Sequence, residues 1–235
     1  FCYEREIAPT RAFAHRRFHN IFCCHPSDQF FFTQVFIAAA HAIQDGGKML
    51  NVETERLFSN LPDVLNSSLT FWQTAFLPMI KDAVAKAKFN TELMAPGFCR
   101  FREILLPYDR YVKEQSKTVE YLRSISTDPE FTMYLNWCHS HKLCNRLQLA
   151  DFLVKPMQRL TKYSLILRRI ITHTDTEPER TSLLAMVSTY SRFVRLKNND
   201  SLQFFKQCLF KQYGTGLRLG NMHLYHQEGN LKWIA

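Results

Sequence analysis

The chain has 235 residues, and its 30 Lys and Arg outnumber 21 Asp and Glu, for a formal net charge of +9. A 46% hydrophobic content is ample for a buried core, and only 7 Gly and 9 Pro argue against a loop-rich or all-β chain and for long helices. The basic balance suits an acidic protein partner or an anionic membrane. Nucleic acid is set aside: the block Arg11–Arg17 has only two adjacent arginines, and no aromatic-plus-basic RNA motif is present.

Residues 1–29 show no periodicity. Phe30–Gln44 reads as a core helix stopped by Gly46 and Gly47. Its apolar run, Phe30–Ile43, is interrupted by Thr33, Gln34 and His41 and falls short of the ~20 residues a membrane span needs. Val52–Leu65 predicts a short helix around Leu57, Phe58, Leu61 and Leu65, bent or broken at Pro62. Leu69–Lys88 carries a helical stripe, and Asn90–Pro96 is a connector. Gly97–Ser126 predicts a long helix bent at Pro107. Asp128 and Pro129 open the next one as N-cap and first helical residue. Leu149–Thr174 and Thr181–Asn198 are expected as two more helices joined by the polar turn Thr174–Glu179. Gly214–Gly220 reads as a loop, and Gly229–Ile234 alternates like the first strand of a new domain. Beginning with Phe1 and stopping after that strand, the chain is expected to be a fragment.

Cys138, His139, His141 and Cys144 raise the question of a metal. Zinc sites favour closer cysteine pairs and a second pair elsewhere, so a helix end with buried thiols is the preferred reading. With no secretory signal in the sequence, the 7 Cys are expected as free thiols in an intracellular setting.

The segment 149–171 is the most informative. At about 100° per residue, Leu149, Phe152, Pro156, Leu160, Tyr163, Leu167, Ile170 and Ile171 share one broad arc. Lys155, Arg159, Lys162 and Arg169 share a narrow one. A basic row is usually a solvated face. Here no Asp or Glu lies between Phe152 and His173, so the usual acidic partners one turn away are missing and the row points at something negative outside the helix. Pro156 is expected either to start the helix or to bend it.

The stretch Leu153-Val154-Lys155-Pro156-Met157-Gln158-Arg159-Leu160-Thr161-Lys162-Tyr163 resembles the third conserved region of the Dbl-homology (RhoGEF) family, with a Lys-Pro-x-Gln-Arg core. Arg56–Leu61 resembles that family's short Ile-Phe-Ser-Asn helix, and Phe101–Leu122 resembles its second conserved region. The resemblance covers about Phe36–Asn199 and is strongest to the pleckstrin-homology and RhoGEF domain-containing G group. It implies an all-α, elongated helical bundle at 30–200, after an irregular or replaced segment at 1–29. A linker and the first strand of a truncated pleckstrin-homology domain would follow at 201–235.

The resemblance also implies function. The expected activity is guanine-nucleotide exchange on a Rho-family GTPase through its switch regions, with no covalent chemistry, no cofactor and no metal. Lys155, Met157, Gln158, Arg159 and Ser191 are the implied contacts, and Ser191 stands where some members carry Asn. Ser164 replaces a usual Pro. A phosphoinositide would bind through the remainder of the pleckstrin-homology domain, which is expected to lie beyond this fragment, and that implies a cytoplasmic protein recruited to the plasma membrane. One departure matters. The family's first helix carries a Glu that meets the GTPase, yet this sequence has no Glu between Glu6 and Glu53, and Pro26 interrupts the region. An exchange-deficient scaffold that binds a GTPase or another acidic partner is therefore the alternative.

Overall fold

The computed structural model describes residues 32–86, 90–144, 147–195, 218–219, 222–227 and 230–234. The expected segment 1–29, with Pro26, and residues 201–217 of the expected linker lie outside them.

A π-helical turn, Phe32–Ile37, runs into α1 (Ala38–Asp45). Gly46 caps it, and Gly47 turns the chain at φ +76°, a conformation that a Cβ disfavours. The predicted helix over Val52–Leu65 is two helices, α2 (Thr54–Phe58) and α3 (Leu61–Phe71). The break falls at Ser59, which takes φ +51°, while Pro62 sits harmlessly in the first turn of α3. α7 (Tyr108–Ser124) pins that break: Ser59 Oγ donates to Glu114, and Asn60 Nδ2 donates to the Pro107 carbonyl at 2.9 Å. α3 continues through a second π turn, Trp72–Phe76, into α4 (Leu77–Lys86). Pro78 has no N–H for the carbonyl one turn back, and the widened turn just before it accommodates that gap.

The predicted long helix over Gly97–Ser126 is three: α5 (Ala95–Cys99), α6 (Phe101–Ile104) and α7, with Pro107 as the N-cap residue of α7. α8 (Pro129–Ser140) starts as expected, its Asp128 carboxylate accepting from the Phe131 N–H at 2.8 Å. α9 (Leu149–Ile171) and α10 (Glu177–Arg195) complete the bundle. α10 begins four residues before its predicted start because Pro178 fits a first helical turn. Three antiparallel strands follow in the order β1 (Arg218–Leu219), β2 (Met222–Gln227), β3 (Asn230–Ile234). The strand predicted at 229–234 is thus the third of three, and β1 lies within the predicted loop.

Two aromatic clusters hold the bundle. Phe32, Phe36, Phe58 and Phe152 join the first turn, α2 and α9. Phe71, Phe76, Phe98, Phe101, Tyr163, Tyr190 and Phe193 join α3, α5, α6, α9 and α10, largely edge to face. Such pairs add about 0.5–1.5 kcal/mol each beyond burial. Buried tyrosine hydroxyls set the crossings. Tyr134 donates to the Phe36 carbonyl at 2.8 Å, Tyr111 to Leu153 at 2.6 Å and Tyr190 to Leu160 at 2.8 Å. Cys138 Sγ adds a contact to the Val35 carbonyl at 3.4 Å, so α8 serves two backbone oxygens of the first π turn. Tyr134→Phe is expected to remove that tie between α8 and the first turn and cost about 1 kcal/mol, read from urea denaturation.

Candidate functional site

α9 is one unbroken helix with Pro156 inside it. The helix begins at Leu149, so Pro156 does not start it. Proline removes the N–H due to the Phe152 carbonyl, and the neighbouring Leu153 carbonyl is held by Tyr111 of α7. The apolar arc behaves as expected: Leu149, Phe152, Leu160, Tyr163 and Leu167 are buried, with Ile170 and Ile171 half-buried at the end.

The other arc is a row of cations. Five ion pairs occur among the described residues, each between side chains three or four positions apart, and none involves α9. Lys155, Arg159, Lys162, Arg168 and Arg169 therefore have no described carboxylate within ion-pair distance. Lys155 Nζ stands 4.2 Å over the Phe152 ring, an attraction of about 0.5–1 kcal/mol at an exposed site. Because that ring is wedged among Phe32 and Phe36, the ammonium is fixed relative to the bundle. Arg159 lies where the basic row meets the apolar arc. It is half-buried, and desolvation lowers its pKa, though not enough to remove its charge. Tyr163, one turn on, is pushed up to about 12 by burial, with the Arg159 charge opposing the shift.

Ser191 is half-buried on α10. The Tyr190–Leu160 bond fixes the α9–α10 crossing one residue from both Arg159 and Ser191, so the structure brings those two turns together. The Ser164 hydroxyl lies beside Tyr190 and favours its ionised form slightly, against strong burial. Gln158 is half-buried and already interacts within the chain.

Met157 is a correction. It is 0% exposed and part of the core, so it offers no surface to a partner. The reason is helical geometry: two residues from Lys155 is about 200°, the opposite side of α9. Leu165, in contrast, is exposed on the basic side between Lys162 and Arg169, an apolar position that the basic spacing alone does not single out.

The four candidate metal ligands face different tasks. Cys138 donates to Val35, Cys144 Sγ reaches the Cys138 carbonyl at 3.0 Å, and His139 Nε2 accepts the Leu149 N–H at 3.1 Å. Among the described residues no group of three or more His, Cys, Asp or Glu is arranged for a metal. His139 instead caps α9, alongside Asp151, which accepts from the Gln148 N–H at 2.8 Å. Accepting requires neutral imidazole. Burial holds the His139 pKa below its ordinary 6.5, against the pull of Asp151. As pH falls below about 6.5, the unfolded chain takes up that proton before the folded one, so stability declines. Urea midpoints measured from about pH 7.5 to about pH 5.5 are expected to fall more in this protein than in His139→Gln.

With the geometry in place, comparisons identify the class. The RhoGEF domain family model matches residues 31–212, and the chain belongs to that family. The chain is similar to pleckstrin homology domain-containing family G member 5 of Rattus norvegicus, at 34% identity over 172 residues, 71% of this chain and 16% of the relative. It also resembles family G member 6 of Mus musculus, at 29% over 173 residues, 73% of this chain and 22% of the relative. The chain therefore spans under a quarter of the length of either relative. Among solved structures, Vav1 inhibited by an allosteric inhibitor matches with a TM-score of 0.60 at 22% identity, covering 78% of this chain and 32% of that one. The DH/PH domain of human ARHGEF11, solved in a ternary complex with human RhoA and its inhibitor, gives 0.58 at 23%, covering 80% and 53%. These likenesses show the fold.

Proposed function

We propose that this chain is the exchange module of a guanine-nucleotide exchange factor for a Rho-family GTPase. The observation that carries the reading is the row Lys155, Arg159, Lys162 and Arg169 on a rigid helix, without a described carboxylate to neutralise it. Family membership and the RhoA complex of a protein of the same fold support it. Lys155, Arg159 and Ser191, with Gln158 beside them, form the docking face for the switch regions. No covalent step is needed. Binding the nucleotide-free GTPase more tightly than the loaded one must weaken nucleotide by the same factor, about tenfold for each 1.4 kcal/mol. The strands β1–β3 are the opening of a pleckstrin-homology domain, in keeping with the relatives' names. That domain would supply phosphoinositide binding and recruitment of a cytoplasmic protein to the plasma membrane. No described helix is long and apolar enough to cross a membrane.

The second reading, a scaffold that holds a GTPase or other acidic partner without exchanging it, is favoured by the absence of Glu between Glu6 and Glu53. Two assays separate them: capture of nucleotide-free Rho, Rac and related GTPases, and release of mant-GDP from each. Capture with weak release is expected. Strong release removes the scaffold reading, and failure to capture any of these GTPases removes both.

A further inference from the structure

Among the described residues, three of the seven large apolar side chains that stand exposed lie on or beside α8: Leu50 at 70%, Met133 at 71% and Trp137 at 57%. α8 turns Phe131, Tyr134 and Cys138 inward. Past its first turn, where Glu130 is exposed, its outward side consists of Thr132, Met133, Asn136, Trp137 and Ser140, all exposed and none charged. In a chain of net charge +9, a strip without basic side chains and with acidic residues at one end is where two copies meet with least repulsion. Leu50 flanks the strip because its neighbours are tied to the start of α8. The Met49 N–H donates to Glu130, and Asn51 Nδ2 donates to Asp128 at 2.6 Å.

The ends of α8 differ in sign. Asp128 and Glu130 lie at its start, and exposed His141 and Lys142 lie just past its end. Asp128 stays ionised because the Phe131 N–H and the Asn51 amide hold its pKa down. Two copies of α8 laid antiparallel across a two-fold axis would place Trp137 of each on Met133 of the other. The same register sets the acidic start of each helix near Lys142 of its partner and opposes the two helix dipoles. Sulfur against an indole is a favourable contact.

We propose that the outward face of α8 is a self-association surface through which two copies of this chain pair antiparallel. It uses none of Lys155, Gln158, Arg159 or Ser191, so it stands or falls apart from the exchange reading. One helix pair is smaller than a standard interface of roughly 1,600 Å², so the dimer is weak and forms at tens to hundreds of micromolar.

Sedimentation velocity across that range tests it. The expected result is a rise with concentration toward twice the 27.7 kDa chain mass. Met133→Glu and Trp137→Lys are each expected to weaken the dimer about tenfold or more, with unchanged helical melting because both side chains are exposed. An equimolar mixture of the two variants is expected to recover association, because the antiparallel register sets the new acid against the new base and leaves the second Trp–Met contact intact. A chain that stays monomeric throughout, a dimer indifferent to either substitution, or variants that fail to recover on mixing would each overturn the proposal.

Discussion

Arg159→Glu is expected to weaken capture of nucleotide-free Rho-family GTPase by about 30-fold or more, the loss typical of a desolvated charge pair broken across an interface. Arg159 stands at the edge of the apolar arc, where burial already lowers its pKa and no described carboxylate is within ion-pair distance. A partner anion there meets a cation in a medium of low effective dielectric, where Coulomb attraction is several times its value in water. Reversal replaces that attraction with repulsion. The proper control is Lys117→Glu on α7, an exposed cation, which changes the net charge equally and is expected to alter capture less than threefold. Equal losses in both variants would mean that general charge, not the α9 face, draws the partner. Biolayer interferometry on immobilised GTPase reads both, and melting of each variant checks that the fold survives.

Gly97→Ala carries the largest expected stability effect. Gly97 of α5 lies so close to the second π turn that an added Cβ would stand 2.4 Å from Ala75 Cβ, 2.7 Å from its Cα and 2.8 Å from its backbone nitrogen. Two of those atoms are main chain and cannot rotate away. α5 must therefore move from the seat where its Phe98 meets Phe71 and Phe76, three rings in mutually edge-on contact. A loss of about 3 kcal/mol, the upper end for overpacking, is expected in urea denaturation. Ala75→Gly in the same chain removes one of the three opposing atoms and is expected to restore part of that loss. A Gly97→Ala chain as stable as the parent would show that α5 has room to shift.

Sequence periodicity locates α9, its buried stripe and its basic row because a single helix of 23 residues obeys one repeat throughout. It fails where backbone chemistry interrupts the repeat. Ser59, at φ +51°, splits one predicted helix, and nothing in a serine announces a left-handed residue. Arg100 and Pro107 split another, and of these only the proline gives notice. Met157 was assigned to the partner face through its motif slot, while its angle on the helix points inward. His139 suggested a metal by its neighbours, and its actual role depends on Leu149, ten positions on, which no local pattern discloses. Exposed Met133 and Trp137 were legible in principle, since their spacing sets them on the side opposite Phe131, Tyr134 and Cys138.

The hydroxyls of Tyr111, Tyr134 and Tyr190 grip main-chain oxygens of Leu153, Phe36 and Leu160. An amide oxygen is present whatever residue occupies the position. These three crossings thus demand a tyrosine on one side only and leave the opposite position free to mutate among apolar residues of similar bulk. A scaffold fastened in this way can rebuild its interior over generations while the distance between its docking helices stays the same.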